Sequence, residues 1–376
     1  MRSPTVTDDP KRRQEEGIHK VNQEFRRYEQ VNKDQSYSLS EDRESDEFDD
    51  DFEIKTCDMA SYFKGGQEGR RAFADELGNA LKEIGFAILV NHGVDPTLYD
   101  QAEKRVCEFF ETTSREERMP YLAKRHGSVN QGYFPIKETT IIHPDLVEGW
   151  VFCRRAFDLD SPFQPGRRDP AWNESDFWPR SNYEPFFRRI VQSHENLISP
   201  LMRSILLSLG CDPHLYDTKL DKPNFGFRLN YYPPLTQEQE STGGGRMLGH
   251  EDVDLFTILP APKHEGLQVL NRSNMKWIRL NPPPGTIILN TGDYMQRITN
   301  DLLPSTTHRV SPPRQEESQS APRVSIPKAV YVREEELLEV LPGLGPPKYE
   351  PVSAIRFHTR ITSKYYGDEY AVDSDQ

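Results

Sequence analysis

The chain predicts an α+β protein with a β-core of jelly-roll type, a sandwich or barrel, preceded by helices. Three observations carry that prediction. Apolar residues recur at helical spacing in several stretches before Gly210. Beyond it the pattern changes to short runs that alternate or are wholly apolar. Between these runs stand the turn sequences Asn271-Arg-Ser-Asn, Pro282-Pro-Pro-Gly and Thr291-Gly-Asp.

Composition bounds the rest. With 376 residues, 35% of them hydrophobic, the chain suits one folded domain with flexible ends. Its formal net charge is −13, and residues 41–53 alone hold nine acids against one Arg. The acidity therefore belongs to a tail, expected to be disordered over residues 1–51 and to dock a partner weakly if it docks at all. No basic stripe offsets it, which argues against nucleic acid as a partner. The four cysteines, Cys57, Cys107, Cys153 and Cys211, are widely spaced with no C-x-x-C, as suits a reducing compartment. Neither a hydrophobic leader nor a spanning apolar segment stands out, so a cytoplasmic protein without a membrane partner is expected.

In order, residues 52–180 read as an N-terminal region of helices and strand pieces on the substrate side. A helix from Glu68 places Phe73, Leu77, Leu81 and Ile84 on one face and stops at Gly85. Phe86 to Val90 reads as a buried strand. Leu98, Ala102, Val106, Phe109 and Phe110 mark a second helix, and Ser114-x-x-Glu117 is a capping box. Gly132-Tyr133, Thr139 to Ile142 and Glu148 to Phe152 suggest loop and strand pieces. The polar, Pro-containing stretch Ser161 to Pro179 is a candidate substrate lid. Residues 181–365 then hold a long supporting helix from Glu184 to Leu209, interrupted by Pro200, and the strands of the core; residues 366–376 form a flexible tail.

The chemistry centres on His250-Glu251-Asp252. The run Met247 to Leu259 reads as a strand, on which residues two apart share a face, so His250 and Asp252 can hold one ion. His308 is the candidate third ligand, 56 residues beyond Asp252. Two imidazoles and one carboxylate leave coordination positions open, the arrangement of non-haem Fe(II) oxygenases. Taken alone, H-x-D is also met as an ordinary surface or core pattern. A second i, i+2 pair, Arg323 and Ser325, joins a guanidinium to a hydroxyl, which suits a carboxylate.

Further motifs stand in a fixed order: Gly85-Phe86, Asn91-His92-Gly93-Val94, Arg228-x-Asn230-Tyr231-Tyr232-Pro233-Pro234, His250-x-Asp252, Gly266-Leu267-Gln268-Val269, Gly292-Asp293, Thr299-Asn300, His308-Arg309-Val310 and Arg323-x-Ser325. Over about residues 52–365 the chain closely resembles the 2-oxoglutarate- and Fe(II)-dependent dioxygenases of the isopenicillin N synthase-like type. The resemblance implies a double-stranded β-helix, cupin-like core with His250, Asp252 and His308 as iron ligands. It also implies Arg323 and Ser325 on the distal carboxylate of 2-oxoglutarate, with Asn230 and Tyr232 beside the same cosubstrate. The implied reaction couples oxidative decarboxylation of 2-oxoglutarate by O2 to hydroxylation, desaturation or cyclisation of a small organic substrate, with ascorbate as a candidate reductant. Tyr133, Trp150, Phe152 and Arg228 are the candidate substrate contacts.

Three features depart from the family pattern. The spacing from His308 to Arg323 is long, which a surface extension over Pro312 to Pro322 would explain. Pro327 falls within a strand and suggests an edge or a bulge there. Glu251, after the first ligand, has no assigned role. Two alternatives stay open: an oxidase of the same fold that does not use 2-oxoglutarate, of the isopenicillin N synthase or aminocyclopropane carboxylate oxidase kind, and a non-catalytic β-helix binding module.

Overall fold

The computed structural model of the chain describes residues 46–136, 146–159, 173–234, 246–312 and 321–366. Strand β1 (Thr56–Asp58) and helix α1 (Met59–Lys64) lead into α2 (Gly66–Ile84), β2 (Phe86–Val90), α3 (Thr97–Thr112) and α4 (Arg115–Arg118). A meander follows: β3 (Lys124–His126), β4 (Val129–Phe134) and β5 (Glu148–Phe152). The long helix α5 (Tyr183–Ser208) precedes β6 (Asn224–Tyr232), β7 (Met247–His250), β8 (Phe256–Pro260), β9 (Leu267–Asn271), β10 (Lys276–Arg279) and β11 (Ile287–Thr291). Helix α6 (Asp293–Ile298), β12 (His308–Val310), β13 (Arg323–Ser325), β14 (Lys328–Tyr331) and α7 (Ala354–Tyr366) complete the elements used below.

From β6 onward the chain alternates between two sheets. The larger runs β1-β2-β11-β8-β14-β6-β5-β4-β3, with β13 also on β6; the smaller runs β10-β9-β12-β7. Two exceptions keep successive strands in one sheet: the β9–β10 hairpin in the small sheet, and β13 and β14, which follow one another along β6 in the large one. This is a jelly-roll, the double-stranded β-helix. Phe86, Ile88, Leu259 and Ile288 of the large sheet pack on Leu267, Val269 and Ile278 of the small one, so the two sheets meet face to face. The other side of the large sheet is covered by helices: Phe110 of α3 stacks on Tyr231, and Phe187 of α5 packs against Phe227. The N-terminal strands flank the jelly-roll strands on both edges of the large sheet, so residues on either side of position 180 share one hydrogen-bonded layer.

The helical periodicities are realised as read. Phe73, Leu77, Leu81 and Ile84 of α2 are buried, as are Leu98, Ala102, Val106, Phe109 and Phe110 of α3. Ser114 and Glu117 form the reciprocal capping box of α4. Gly85 ends α2 in the left-handed region at φ 72°, with its N–H on Leu81 O. Its own carbonyl accepts from Thr291 N at 3.0 Å, tying the helix end to β11.

Three local readings differ. Met247 to Leu259 is not one strand. β7 ends at His250, and the next residues cross from the small sheet to β8 in the large one. Pro327 marks neither an edge nor a bulge. β13 and β14 keep one register on β6, with Ser325 opposite Asn230 and Lys328 opposite Phe227, and β14 lies between β8 and β6. Pro327 lacks only the N–H that would return the bond its carbonyl accepts from Arg228 N at 2.9 Å. Nor is the acidic stretch free up to residue 51. Asp49 N donates to Trp277 O and Trp277 N to Glu47 O, adding a short parallel bridge to the edge strand β10. Asp46 meets Arg309 and Asp50 meets Arg279, each at 2.7 Å. An open strand edge flanked by outward arginines is what an acidic extended segment fits. Thr139 to Ile142, residues 1–45, most of the lid candidate (160–172), most of the Pro312 to Pro322 extension (313–320) and residues 367–376 lie outside the described residues.

A Cβ on Gly85 would run into the Pro304 carbonyl and force a β-carbon onto positive φ. Gly85→Ala is expected to lower unfolding stability by about 1–3 kcal/mol, read from the urea midpoint.

Candidate active site

His250 ends β7, His308 begins β12, and these two residues are paired across the small sheet. Their ring centroids are 4.4 Å apart. Asp252 lies two residues past the strand end, where the crossing chain brings its Oδ1 to 3.8 Å from His250 Nε2 and 3.9 Å from His308 Nε2. One ligand atom from each of the three falls within 4.8 Å of the others, and this is the metal-capable cluster among the described residues.

The outer atoms of each side chain are committed. His250 Nδ1 lies 2.9 Å from Leu248 O, and His308 Nδ1 lies 3.1 Å from Thr306 O. A carbonyl oxygen only accepts, so each Nδ1 carries the proton and each Nε2 offers a lone pair. Asp252 Oδ2 accepts from Thr257 Oγ1 and Asn290 Nδ2, both at 2.8 Å, which leaves Oδ1 free. Burial opposes ionisation of Asp252, but the positive charge that His308 and His250 carry when protonated, together with these two donors, outweighs it and holds the carboxyl below its usual range. The donor set, two neutral imidazoles and one carboxylate, fits a divalent iron with open positions. Phe86 packs edge-on against the His308 ring at 5.5 Å.

The crossing loop is braced by backbone. Asp293 N donates to Asp252 O at 2.8 Å, and Tyr294 N donates to Asp254 O at 3.0 Å. Asp254 is buried beside Asp252, and burial first, then that neighbouring charge, pushes its carboxyl well above the usual range. Thr257 Oγ1 lies 2.6 Å from Asp254 Oδ2 and has one proton, which Asp252 also requires. The protonated Asp254 resolves this by supplying the hydrogen on its side.

Glu251 acquires a role. It is buried, pairs with Arg272 in the β9–β10 turn, and accepts from Thr307 Oγ1 at 3.0 Å. Because Glu251 sits between two candidate ligands and Thr307 precedes the third, this contact fixes the separation of the two ligand-bearing segments.

On β13 and β6, Arg323 stands opposite Tyr232 and Ser325 opposite Asn230. Asn230 Nδ2 donates to Ser325 Oγ at 3.2 Å. Arg323 Nε donates to His264 O at 3.2 Å, and its Cζ lies 5.0 Å from the Tyr232 ring. Arg323 is buried, yet its Nη1 has no hydrogen-bond partner, and neither does Asn230 Oδ1. Such orphaned atoms fit an anionic guest with further acceptors and donors.

The candidate substrate contacts divide. Arg228 shares the face of Asn230 and Tyr232, as alternation along β6 requires. Trp150 pairs with Leu229, and Tyr133 pairs with Trp150, so both lie on the opposite, helix-covered face. Trp150 packs on Phe109, and Tyr133 donates to Glu148 at 2.7 Å. Phe152 stacks on Trp178 at 3.7 Å. Tyr133, Trp150 and Phe152 are therefore core residues and not pocket residues; being aromatic and near the right strands, they have the composition of both. Phe134, one residue along from Tyr133, takes the inner face, with the Arg228 guanidinium 5.7 Å from its ring and Tyr232 in the same apolar cluster. Asn290 and Thr257 were also missed by sequence reasoning. The available signal was a lone amide in the apolar run Ile287-Ile-Leu-Asn and a hydroxyl in Phe256-Thr-Ile-Leu.

With this geometry in view, comparison with known proteins identifies the class. The family model of the 2OG-Fe(II) oxygenase superfamily matches residues 223–330, and that of the non-haem dioxygenase N-terminal region, described for morphine synthesis, matches residues 54–181. A 2-oxoglutarate-Fe(II) type oxidoreductase, ppzC of Metarhizium majus, is 31% identical over 68% of this chain and 73% of its own length. Isopenicillin N synthase of Streptomyces griseus is 26% identical over 68% and 73%. Among solved structures, the Neurospora crassa T7H complex with alpha-KG and thymine superposes with a TM-score of 0.70 at 23% identity, covering 83% of this chain and 97% of that one. A putative 2OG-Fe(II) oxygenase from Caulobacter crescentus gives 0.67 at 27% identity, over 83% and 99%. The chain belongs to the 2OG-Fe(II) oxygenase superfamily: it is a non-haem dioxygenase that uses Fe(II), 2-oxoglutarate and O2.

Asn290→Ala should weaken Fe(II) or Mn(II) binding roughly 10–100-fold, measured by metal titration, because Asp252 then loses one of the two donors that aim it. Phe152→Ala should lower stability by about 3–5 kcal/mol in chemical denaturation while the folded fraction keeps its KM for substrate.

Proposed function

We propose that His250 Nε2, Asp252 Oδ1 and His308 Nε2 ligate Fe(II), and that Arg323 and Ser325 receive the distal carboxylate of 2-oxoglutarate beside Asn230 and Tyr232. The observation that carries this reading is the convergence of one ligand atom from each of the three side chains, while the second ring nitrogen of each histidine and the second carboxylate oxygen of Asp252 are held by other groups. When bound, iron with 2-oxoglutarate and O2 supplies the oxidising chemistry, which releases succinate and carbon dioxide and oxidises the substrate. The chain's own residues do the rest. The Nδ1 protons held on the Leu248 and Thr306 carbonyls prevent the imidazoles from turning, and Thr257 with Asn290 aims the carboxylate. The side chains of His250 and Asp252 stay partly exposed, which supports substrate approach from that side. Arg228 and Phe134 line the inner face from which a small organic substrate would be gripped, and hydroxylation is the default outcome.

Cytoplasmic residence fits four cysteines that are all free, and no helix among the described residues is long and apolar enough to cross a membrane. Neither nucleic acid nor a membrane is a proposed partner, and the acidic segment before Asp46 is left as a weak docking element.

Anaerobic addition of 2-oxoglutarate to the Fe(II)-loaded protein should give a visible charge-transfer band, and turnover should release succinate in step with oxidised substrate. Turnover without succinate would point instead to the oxidase reading that the isopenicillin N synthase relatives keep in view. His308→Ala should abolish succinate formation with an unchanged circular dichroism spectrum; retained turnover would remove His308 from the ligand set.

A further inference from the structure

A second arginine lies buried beside Arg323. Arg246, immediately before β7, is fully buried, and its only hydrogen bond among the described residues runs from Nη2 to Ala321 O at 3.4 Å. Ala321 lies two residues before Arg323 on the chain, so the two arginines approach the same segment. Arg246 Nε and Nη1 have no partner, and Arg323 Nη1 has none. No described carboxylate forms an ion pair with either. Burial, and then the charge of Arg323, lowers the proton affinity of Arg246.

Two buried like charges with three orphaned N–H-bearing nitrogens are costly unless an anion joins them. The arrangement around them limits which anion. Tyr232, whose ring lies under the Arg323 guanidinium, is 4.0 Å through its hydroxyl from Met247 Sδ, the residue after Arg246. Arg246, Arg323 and Tyr232 thus cluster at the Met247 end of β7, whereas His250 stands at the other end. Four residues of strand put roughly 13 Å between the Cα atoms of Arg246 and His250. The site between the arginines is therefore remote from the ligand atoms, as the far carboxylate of a five-carbon diacid would be.

We propose that Arg246 is a second guanidinium for the distal carboxylate of the cosubstrate, so that this carboxylate is clamped between Arg246 and Arg323 with the Ser325 hydroxyl beside them. The inference rests on the 2-oxoglutarate reading above and extends it to a residue outside the Arg323-x-Ser325 motif. The clamp makes Arg246 a specificity determinant: it discriminates a diacid from a 2-oxo acid that lacks the second carboxylate.

The test titrates the Fe(II)-loaded protein anaerobically, following the visible band, with 2-oxoglutarate and with 2-oxopentanoate, which has the same head and chain length but no distal carboxylate. Arg246→Met should raise the 2-oxoglutarate Kd about 10–100-fold and leave the 2-oxopentanoate Kd within about 2-fold. Arg246→Lys keeps the charge and much of the volume and serves where the Met variant does not fold; it should raise the diacid Kd several-fold, again with the monoacid unmoved. An unchanged diacid Kd, or equal weakening of both acids, in a folded variant overturns the clamp alone. Wild-type protein that binds neither acid overturns the cosubstrate reading, and the clamp with it.

Discussion

The hydrogen bonds to Asp252 Oδ2 are the constraint on which the site depends. Its donors, Thr257 on β8 and Asn290 on β11, belong to the large sheet, whereas His250 and His308 stand on adjacent strands of the small one. Asp252 therefore joins two sheets whose facing sides pack mainly through apolar contacts. Those contacts, Ile288 and Leu259 against Val269 and Ile278, set the spacing; the carboxylate converts that spacing into a coordination geometry. Non-directional packing alone would leave the ligand positions loose by more than a metal site tolerates.

The large sheet separates structural from chemical work by its two faces. One face, with Trp150, Phe152, Phe227 and Tyr231, packs on α3, α5 and Trp178 as a continuous aromatic layer. The other face carries Arg228, Asn230 and Tyr232 and turns toward the small sheet. Because side chains alternate along a strand, a single strand such as β6 contributes to both without compromise. The rigid aromatic layer gives the inner side chains a fixed floor.

Charge in the interior is handled by pairing wherever the protein supplies a partner. Glu251 is met by Arg272, and Arg309 by Asp46 from the acidic segment laid along β10. Arg309 also lies over the Trp277 ring at 3.7 Å and donates to Gln268, so its position next to His308 is fixed on the outer side. Asp254 is instead kept neutral. Arg246 and Arg323 have no carboxylate partner among the described residues, and buried guanidinium groups left so mark a place prepared for an external anion.

Much was determined by the sequence itself. Periodicity located α2, α3 and α5 and turn residues delimited the strands, because local patterns reflect local geometry; the chemistry followed from the family resemblance carried by the order of the motifs around His250-x-Asp252, His308 and Arg323-x-Ser325. What distance in the chain separates, the sequence could not rank. Tyr133, Trp150 and Phe152 have the composition of both a pocket and a core, and only the register of β4 and β5 on β6 sends them to the helix side. Asp252 looked like a strand residue because the apolar run continues past it, yet the change of sheet occurs within that run. Asn290, Thr257 and Arg246 carry no motif of their own; their meaning comes from the atoms they meet across the two sheets. Tertiary structure decided these points because hydrogen bonds and buried charges are satisfied in space, by partners that pattern along the chain does not specify.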